Sequence, residues 1–131
     1  MNPTILVIED NDQNLYLATF LLEKSGFAIV PARSGKEGIE LASRIRPDLI
    51  VLDIQLPEMD GYAVARELKK HPALRNVPIV AVTSYAMVGD RERTLEAGCD
   101  GYIEKPVNPD TFASEIGKHL PARPPGGGPQ P

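Results

Sequence analysis

Short runs of apolar residues alternate along the chain with longer stretches in which apolar positions recur every three or four residues. The runs are residues 4–9 (TILVIE), 27–32 (FAIVPA), 48–53 (DLIVLD), 78–83 (PIVAVT) and 100–104 (DGYIE). They are short, bounded by turn formers and mostly lack polar alternation, the pattern of strands covered by helices on both faces. A parallel sheet is expected. Between the runs lie helical stretches with recognisable ends. Residues 12–24 carry Leu15, Ala18 and Leu22 on one stripe and stop at Gly26. The next helix opens on Ser34, which forms an S-x-x-E capping box with Glu37. It points Ile39, Ala42 and Ile45 inward and ends before Pro47. A third covers residues 61–70 and is closed by His71 and Pro72. A fourth, residues 89–97, is polar and weakly patterned, and it stops at Gly98. The last has Asn108 as N-cap and Pro109 at the first helical position, with Phe112, Ile116 and Leu120 on one side. Five β/α units suit an α/β fold with a five-stranded doubly wound sheet in three layers, and are too few for an eight-fold barrel.

Composition then narrows the picture. With 131 residues there is room for one domain, and 42% hydrophobic with 24% charged residues is ordinary for a soluble globular chain. The net charge of −4 disfavours phosphate-backbone binding, so no direct DNA contact is expected. The single cysteine, Cys99, can form neither an internal disulfide nor a cysteine-rich metal site and reads as a small buried residue. The start MNPTILVIED is unlike a signal peptide and no apolar run spans a bilayer, so a cytoplasmic location is expected. Residues 121–131 hold five of the 13 prolines and three of the 11 glycines. The expected division is therefore a folded domain over residues 1–120 and a disordered Pro/Gly-rich tail over 121–131. That tail could be native, a linker to another domain or an expression remnant, and its removal should change stability by no more than about 0.5 kcal/mol.

In an open parallel sheet, ligands bind where the carboxyl ends of the strands converge at the switch in strand order. The first strand ends in Glu9 and Asp10, the third in Asp53, the fourth in Thr83 and the fifth in Glu104 and Lys105, whereas the second ends in nothing distinctive. In the flavodoxin-like order 2-1-3-4-5 the second strand lies at an edge, so the four polar ends are neighbours. Singly, each residue has a plain explanation, as a turn former, a helix cap or a solvated charge. Together, Glu9, Asp10 and Asp53 would repel one another unless a cation lay among them. Carboxylates without His or Cys suit a hard ion such as Mg2+. Lys105 adds a positive charge and Thr83 a hydroxyl aimed into the same space. That set meets the electrostatic demand of phosphoryl transfer, in which a carboxylate can itself be the acceptor.

Four motifs carry a resemblance. The acidic pair in VIEDND, the stretch VLDIQLPEMDG, the hydroxyl in VAVTSYAM and the aromatic before Lys-Pro in GYIEKP are similar in order and spacing to the response-regulator receiver domains, the CheY-like family. The resemblance covers residues 4–120, and the run from PIVAVT to GYIEKP most resembles stand-alone receivers of the DivK type and the receivers of hybrid kinases. It implies a CheY-like (βα)5 fold with Asp53 as phosphoacceptor. It also implies Mg2+, with Mn2+ as a substitute, held by Asp10, Asp53 and the backbone carbonyl of Gln55, with Glu9 acting through a metal-bound water. Lys105 would hold the phosphoryl group, Thr83 would bond one of its oxygens after moving inward, Tyr102 would be the aromatic switch that turns into the space Thr83 vacates, and Lys105–Pro106 would be a cis peptide. Glu9 departs from the Asp of many members, which leaves its exact metal contact open, and Ser84 keeps the approach to the site unobstructed.

The expected function is that of a phosphorylation-dependent switch in a two-component system. A histidine kinase or histidine phosphotransfer protein supplies the phosphoryl group, and the face made by the fourth helix, fifth strand and fifth helix binds a downstream protein target. The chain promotes its own phosphorylation and dephosphorylation but turns over no external substrate. It is expected to be a monomer or weak homodimer without membrane contact. The alternative is a receiver module belonging to a larger hybrid kinase or multidomain regulator. A haloacid-dehalogenase-type phosphatase would want D-x-D where Asp53-Ile54-Gln55 stands, and would need a cap. A flavodoxin would need a phosphate loop where the acidic EDNDQN stands. A phosphate-independent receiver is disfavoured by the intact Asp53, Thr83 and Lys105. His71 and His119 read as solvated, Met59 as loop packing, and residues 85–88 as an apolar loop that a partner could read.

Overall fold

Each apolar run forms a strand one residue shorter than the run itself. The computed structural model describes residues 2–57, 59–84 and 89–120. In chain order the elements are β1 (Thr4–Ile8), α1 (Asp12–Lys24), β2 (Ala28–Ala32), α2 (Gly35–Ile45), β3 (Leu49–Asp53), α3 (Gly61–Lys70), a 3-10 turn (Pro72–Leu74), β4 (Ile79–Thr83), α4 (Asp90–Glu96), β5 (Gly101–Glu104) and α5 (Phe112–Gly117). The sheet order is β2-β1-β3-β4-β5 and every pairing is parallel, as expected. The tail over 121–131 and the loop over 85–88 lie outside the described residues.

Acidic residues just before the strands are used structurally. Asp48 accepts a bond from the Thr4 N–H at 2.7 Å and Asp100 one from the Ile79 N–H at 2.9 Å. Each ties a strand start to its neighbour at the amino edge of the sheet.

Strict alternation then divides the apolar side chains. Leu6, Ile8, Ile50, Leu52, Ile79 and Ala81 pack with α2 and α3 through Ala42, Val64 and Leu68. Ile5, Val7, Leu49, Val51, Val80 and Val82 pack on the opposite face with α1 and α5 through Leu15, Leu22, Phe112 and Ile116. Every residue of β3 and β4 is buried, whereas β2 keeps only Ala32 buried. Covering on both faces therefore holds for the sheet centre and fails at this edge. Pro31 is accommodated there because β2 pairs only with β1.

The expected α1 stripe holds: Leu15 and Leu22 are in the core, Ala18 packs half-buried against it, and Leu21 joins them. Two other helix readings need correction. In α2, Ile45 at the last turn is exposed, and Gly35, Gly38 and Ala42 make the buried stripe. The α5 helix starts at Phe112, four residues beyond the expected cap. Asn108 instead closes a turn, its side chain accepting from the Asp110 N–H at 2.9 Å and its carbonyl from the Phe112 N–H at 2.9 Å. A helix of six residues has little stability of its own. Burial of Phe112 and Ile116, each worth roughly 1.5–3 kcal/mol, holds it in place. His119 is not simply solvated: it is half-buried, with its ring over Gly101.

Candidate functional site

Four strand ends build the site. β1 delivers Glu9 and Asp10, after which Asn11 caps α1 by accepting from the Asn14 N–H at 2.9 Å. β3 ends on Asp53, and its exit is fixed by an unusually close approach of α3. A Cβ on Gly61 would lie 2.5 Å from the Ile54 Cα and 3.0 Å from the Asp53 carbonyl oxygen, so only glycine fits over that backbone. The Gly61 N–H donates to the Ile54 carbonyl, and Asp60 caps α3 by accepting from the Tyr62 N–H. β4 delivers Thr83, whose carbonyl accepts the Lys105 N–H at 2.7 Å and so sets the direction in which β5 leaves the sheet.

The expected residues meet as follows. One carboxylate oxygen from each of Glu9, Asp10 and Asp53 lies within 4.8 Å of the others. Glu9 and Asp53 are buried and Asp10 is exposed. The Lys105 ammonium donates to Glu9 Oε1 at 3.1 Å and stands 3.4 Å from Asp53 Oδ1. Asp53 Oδ1 also accepts from the Gln55 N–H at 3.0 Å. Burial raises the Glu9 pKa from 4.5 to about 7, helped by a hydrogen bond to Asp53 and by the Asp53 charge, and opposed by Lys105 and the Asn11 N–H. In a site without a cation, the Glu9 carboxyl relieves the repulsion by taking up a proton and hydrogen-bonding to Asp53. The Lys105–Pro106 peptide is cis, as the resemblance implies.

Thr83 stands apart from the acidic cluster at rest. Its hydroxyl is buried and is held by Gln55 Nε2, so it does not line the acidic cleft in this arrangement. Gln55 Oε1 accepts the Ser84 N–H at 2.9 Å, and Ser84 and Gln55 are the residues that line the cleft on this side. The Gln55 side chain was not legible as a site group, because an amide two residues after a carboxylate carries no spacing signature. Tyr102 is half-buried on the α4 side of β5. Partial burial and the charges of Asp90 and Glu104 raise its phenol pKa. With Gly89, Arg91, Glu104 and Glu115 it lines a cleft of about 450 Å³. A second cavity, about 380 Å³ and largely apolar, adjoins Glu9, Asp53 and Lys105 and runs between α1 and the β5–α5 connection, past Leu17 and Val107. Beside it α1 exposes Tyr16 and Phe20, stacked with ring centroids 6.4 Å apart.

These features define a domain class: a doubly wound sheet with an acidic, lysine-closed pocket at the carboxyl ends of its central strands. The sequence matches the model of the response regulator receiver domain over residues 5–117, and the chain belongs to that family. It is 42% identical over 120 residues to the polar-differentiation response regulator DivK of Brucella ovis, covering 92% of this chain and 98% of that protein. Among solved structures, it resembles the receiver domain of a sensor histidine kinase from Pseudomonas aeruginosa PAO1, described with a magnesium ion coordinated in its active-site cleft. The TM-score is 0.83 with 33% identity, over 90% of this chain and 97% of that one. The chemotaxis protein CheY4 of Vibrio cholerae shares the fold at a TM-score of 0.87 and 22% identity, over 92% of this chain and 100% of that one.

Proposed function

We propose that the chain accepts a phosphoryl group on Asp53 from a phosphohistidine of a histidine kinase or phosphotransfer protein, and that this changes its affinity for a downstream protein target. The observation that carries the reading is the clustering of Glu9, Asp10 and Asp53 within 4.8 Å, closed by Lys105. The donor set fits Mg2+: it is all oxygen, and ligands sit about 2.1 Å from that ion, so oxygens already this close need little movement to share one. Asp10, Asp53 and the Gln55 carbonyl would hold it, with Glu9 beside them. Bound Mg2+ supplies positive charge against the phosphoryl oxygens.

The chain's own groups do the rest. An Asp53 carboxylate oxygen forms the new bond to phosphorus as the phosphorus–nitrogen bond to the donor imidazole breaks, and the imidazole regains its proton from solvent. Gln55 N–H and Lys105 orient the Asp53 carboxylate before attack. Lys105 then exchanges its contact with Glu9 for one with the phosphoryl group, and Thr83 turns its hydroxyl to another phosphoryl oxygen. Tyr102 fills the space Thr83 leaves. The α4–β5–α5 face, where Tyr102 already lines an open cleft, would carry the signal outward. This is chemistry on the chain itself, with no external substrate turned over.

Asp53→Asn tests the reading. Labelled acetyl phosphate with Mg2+ should mark the wild-type chain and leave the variant unmarked although it still unfolds cooperatively. Equal labelling of the two would refute the assignment of Asp53.

A further inference from the structure

Gln55 spans two strand ends. Its backbone N–H donates to Asp53 Oδ1, its side-chain Nε2 donates to the Thr83 hydroxyl oxygen, and its Oε1 accepts from the Ser84 N–H. The amide can face only this way, because the Ser84 N–H is a donor and requires the oxygen. By sheet alternation the Asp53 side chain lies with Val51 on the α1–α5 face, whereas Thr83 lies with Ala81 on the α2–α3 face. The Thr83 side chain is 2% exposed, so its hydroxyl reaches toward Asp53 only by leaving its present bonds.

We propose that the Gln55 side chain is a latch: it holds the Thr83 hydroxyl and the root of the β4–α4 connection in the resting arrangement, and it must let go before Thr83 can turn to a phosphoryl group. This deepens the reading that Asp53 is the phosphoacceptor and rests on it. A bond made in the resting state and lost in the active one biases the equilibrium toward rest by its net worth. Gln55 is thus a positioning residue that sets how much phosphoryl binding is needed to throw the switch. Its side chain, unlike its backbone, is removable without touching the Asp53 carboxylate.

The test uses beryllofluoride with Mg2+ as the phosphoryl mimic. It is not hydrolysed, so the readout is the position of the equilibrium and not the lifetime of a phosphoaspartate. Amide resonances of 15N-labelled protein are followed through a titration of wild type, Gln55→Leu and Gln55→Met, the last matching glutamine in length. Both variants should reach the active spectrum at about twofold to tenfold lower beryllofluoride than wild type, the scale of one hydrogen bond. In the wild type, the exposed Ser84 amide should be protected from hydrogen exchange at rest and lose that protection on saturation. On a Thr83→Val background, Gln55→Leu should shift the midpoint by less than about half as much, because the hydroxyl it restrained is gone. Equal or higher midpoints in both variants, or an undiminished effect in the Thr83→Val chain, would overturn the latch. A wild type that gives no response to beryllofluoride would overturn the Asp53 reading and the latch together. A wild-type response with unshifted variants would overturn the latch alone.

Discussion

At the scale of single residues, Glu9 makes the site sensitive to pH. Its pKa is raised from 4.5 in an unfolded chain to about 7 in the folded one. Between these values the native state holds a proton that the unfolded state has released. The stabilisation is therefore complete below the lower value and is lost as pH rises through the higher one. Without divalent cations, thermal unfolding should occur at lower temperature at pH 8 than at pH 5.5, and Glu9→Gln should flatten that trend. The cation competes for the same oxygens. Mg2+ affinity, measured by calorimetry, should weaken about tenfold per unit of pH below about 7 and level off above it. An affinity that stayed constant from pH 5.5 to 8 would mean that Glu9 does not share its proton with the metal site. The chain has no tryptophan, so calorimetry or NMR serves better than indole fluorescence.

At the scale of elements, the β3–α3 connection depends on one glycine. A methyl group at position 61 would meet Ile54 and Asp53 main-chain atoms, which cannot swing aside as a flexible side chain can. Gly61→Ala should cost about 1–3 kcal/mol in denaturant unfolding, in the range of an overpacked core. It should also lower the rate of Asp53 labelling, because the same backbone aims that carboxylate. A variant matching wild type in both would show that the approach is looser than the geometry implies. The strands were legible because continuous apolar runs at the sheet centre leave no other reading. α5 was misplaced because Asn108 and Pro109 carry a helix-start signature that is spent on a turn. Ile45 fits the helical period but is the last residue of α2 and stays exposed. The acidic cluster and Lys105 were legible because charges at adjacent strand ends are unusual in sequence. The roles of the Gln55 side chain and of Gly61 arise from how the loop folds back, which no spacing records.

At the scale of the whole molecule, the sheet centre and the helices it supports differ in how firmly they are held. β3 and β4 are buried at every position, while the seven residues of α4 bury only Thr94, with Arg93 lying 4.5 Å over the Tyr62 ring. Native-state hydrogen exchange should therefore find α4 amides opening at a free energy well below that of β3 and β4, which should exchange only by global unfolding. Uniform protection would show that α4 is held as firmly as the sheet centre. The alternation that puts Asp53 on one face of the sheet and Thr83 on the other has a further consequence. On the proposed reading, a phosphodonor approaching along α1 and a target contacting α4 would meet different sides of a single layer, and of the output face only α5 lies on the donor's side. Their free energies are then linked: whatever factor phosphorylation adds to target affinity, a bound target returns to the phosphorylated state. On that reading the switch could be thrown from its output side, and an abundant target would hold it on at a lower supply of phosphodonor.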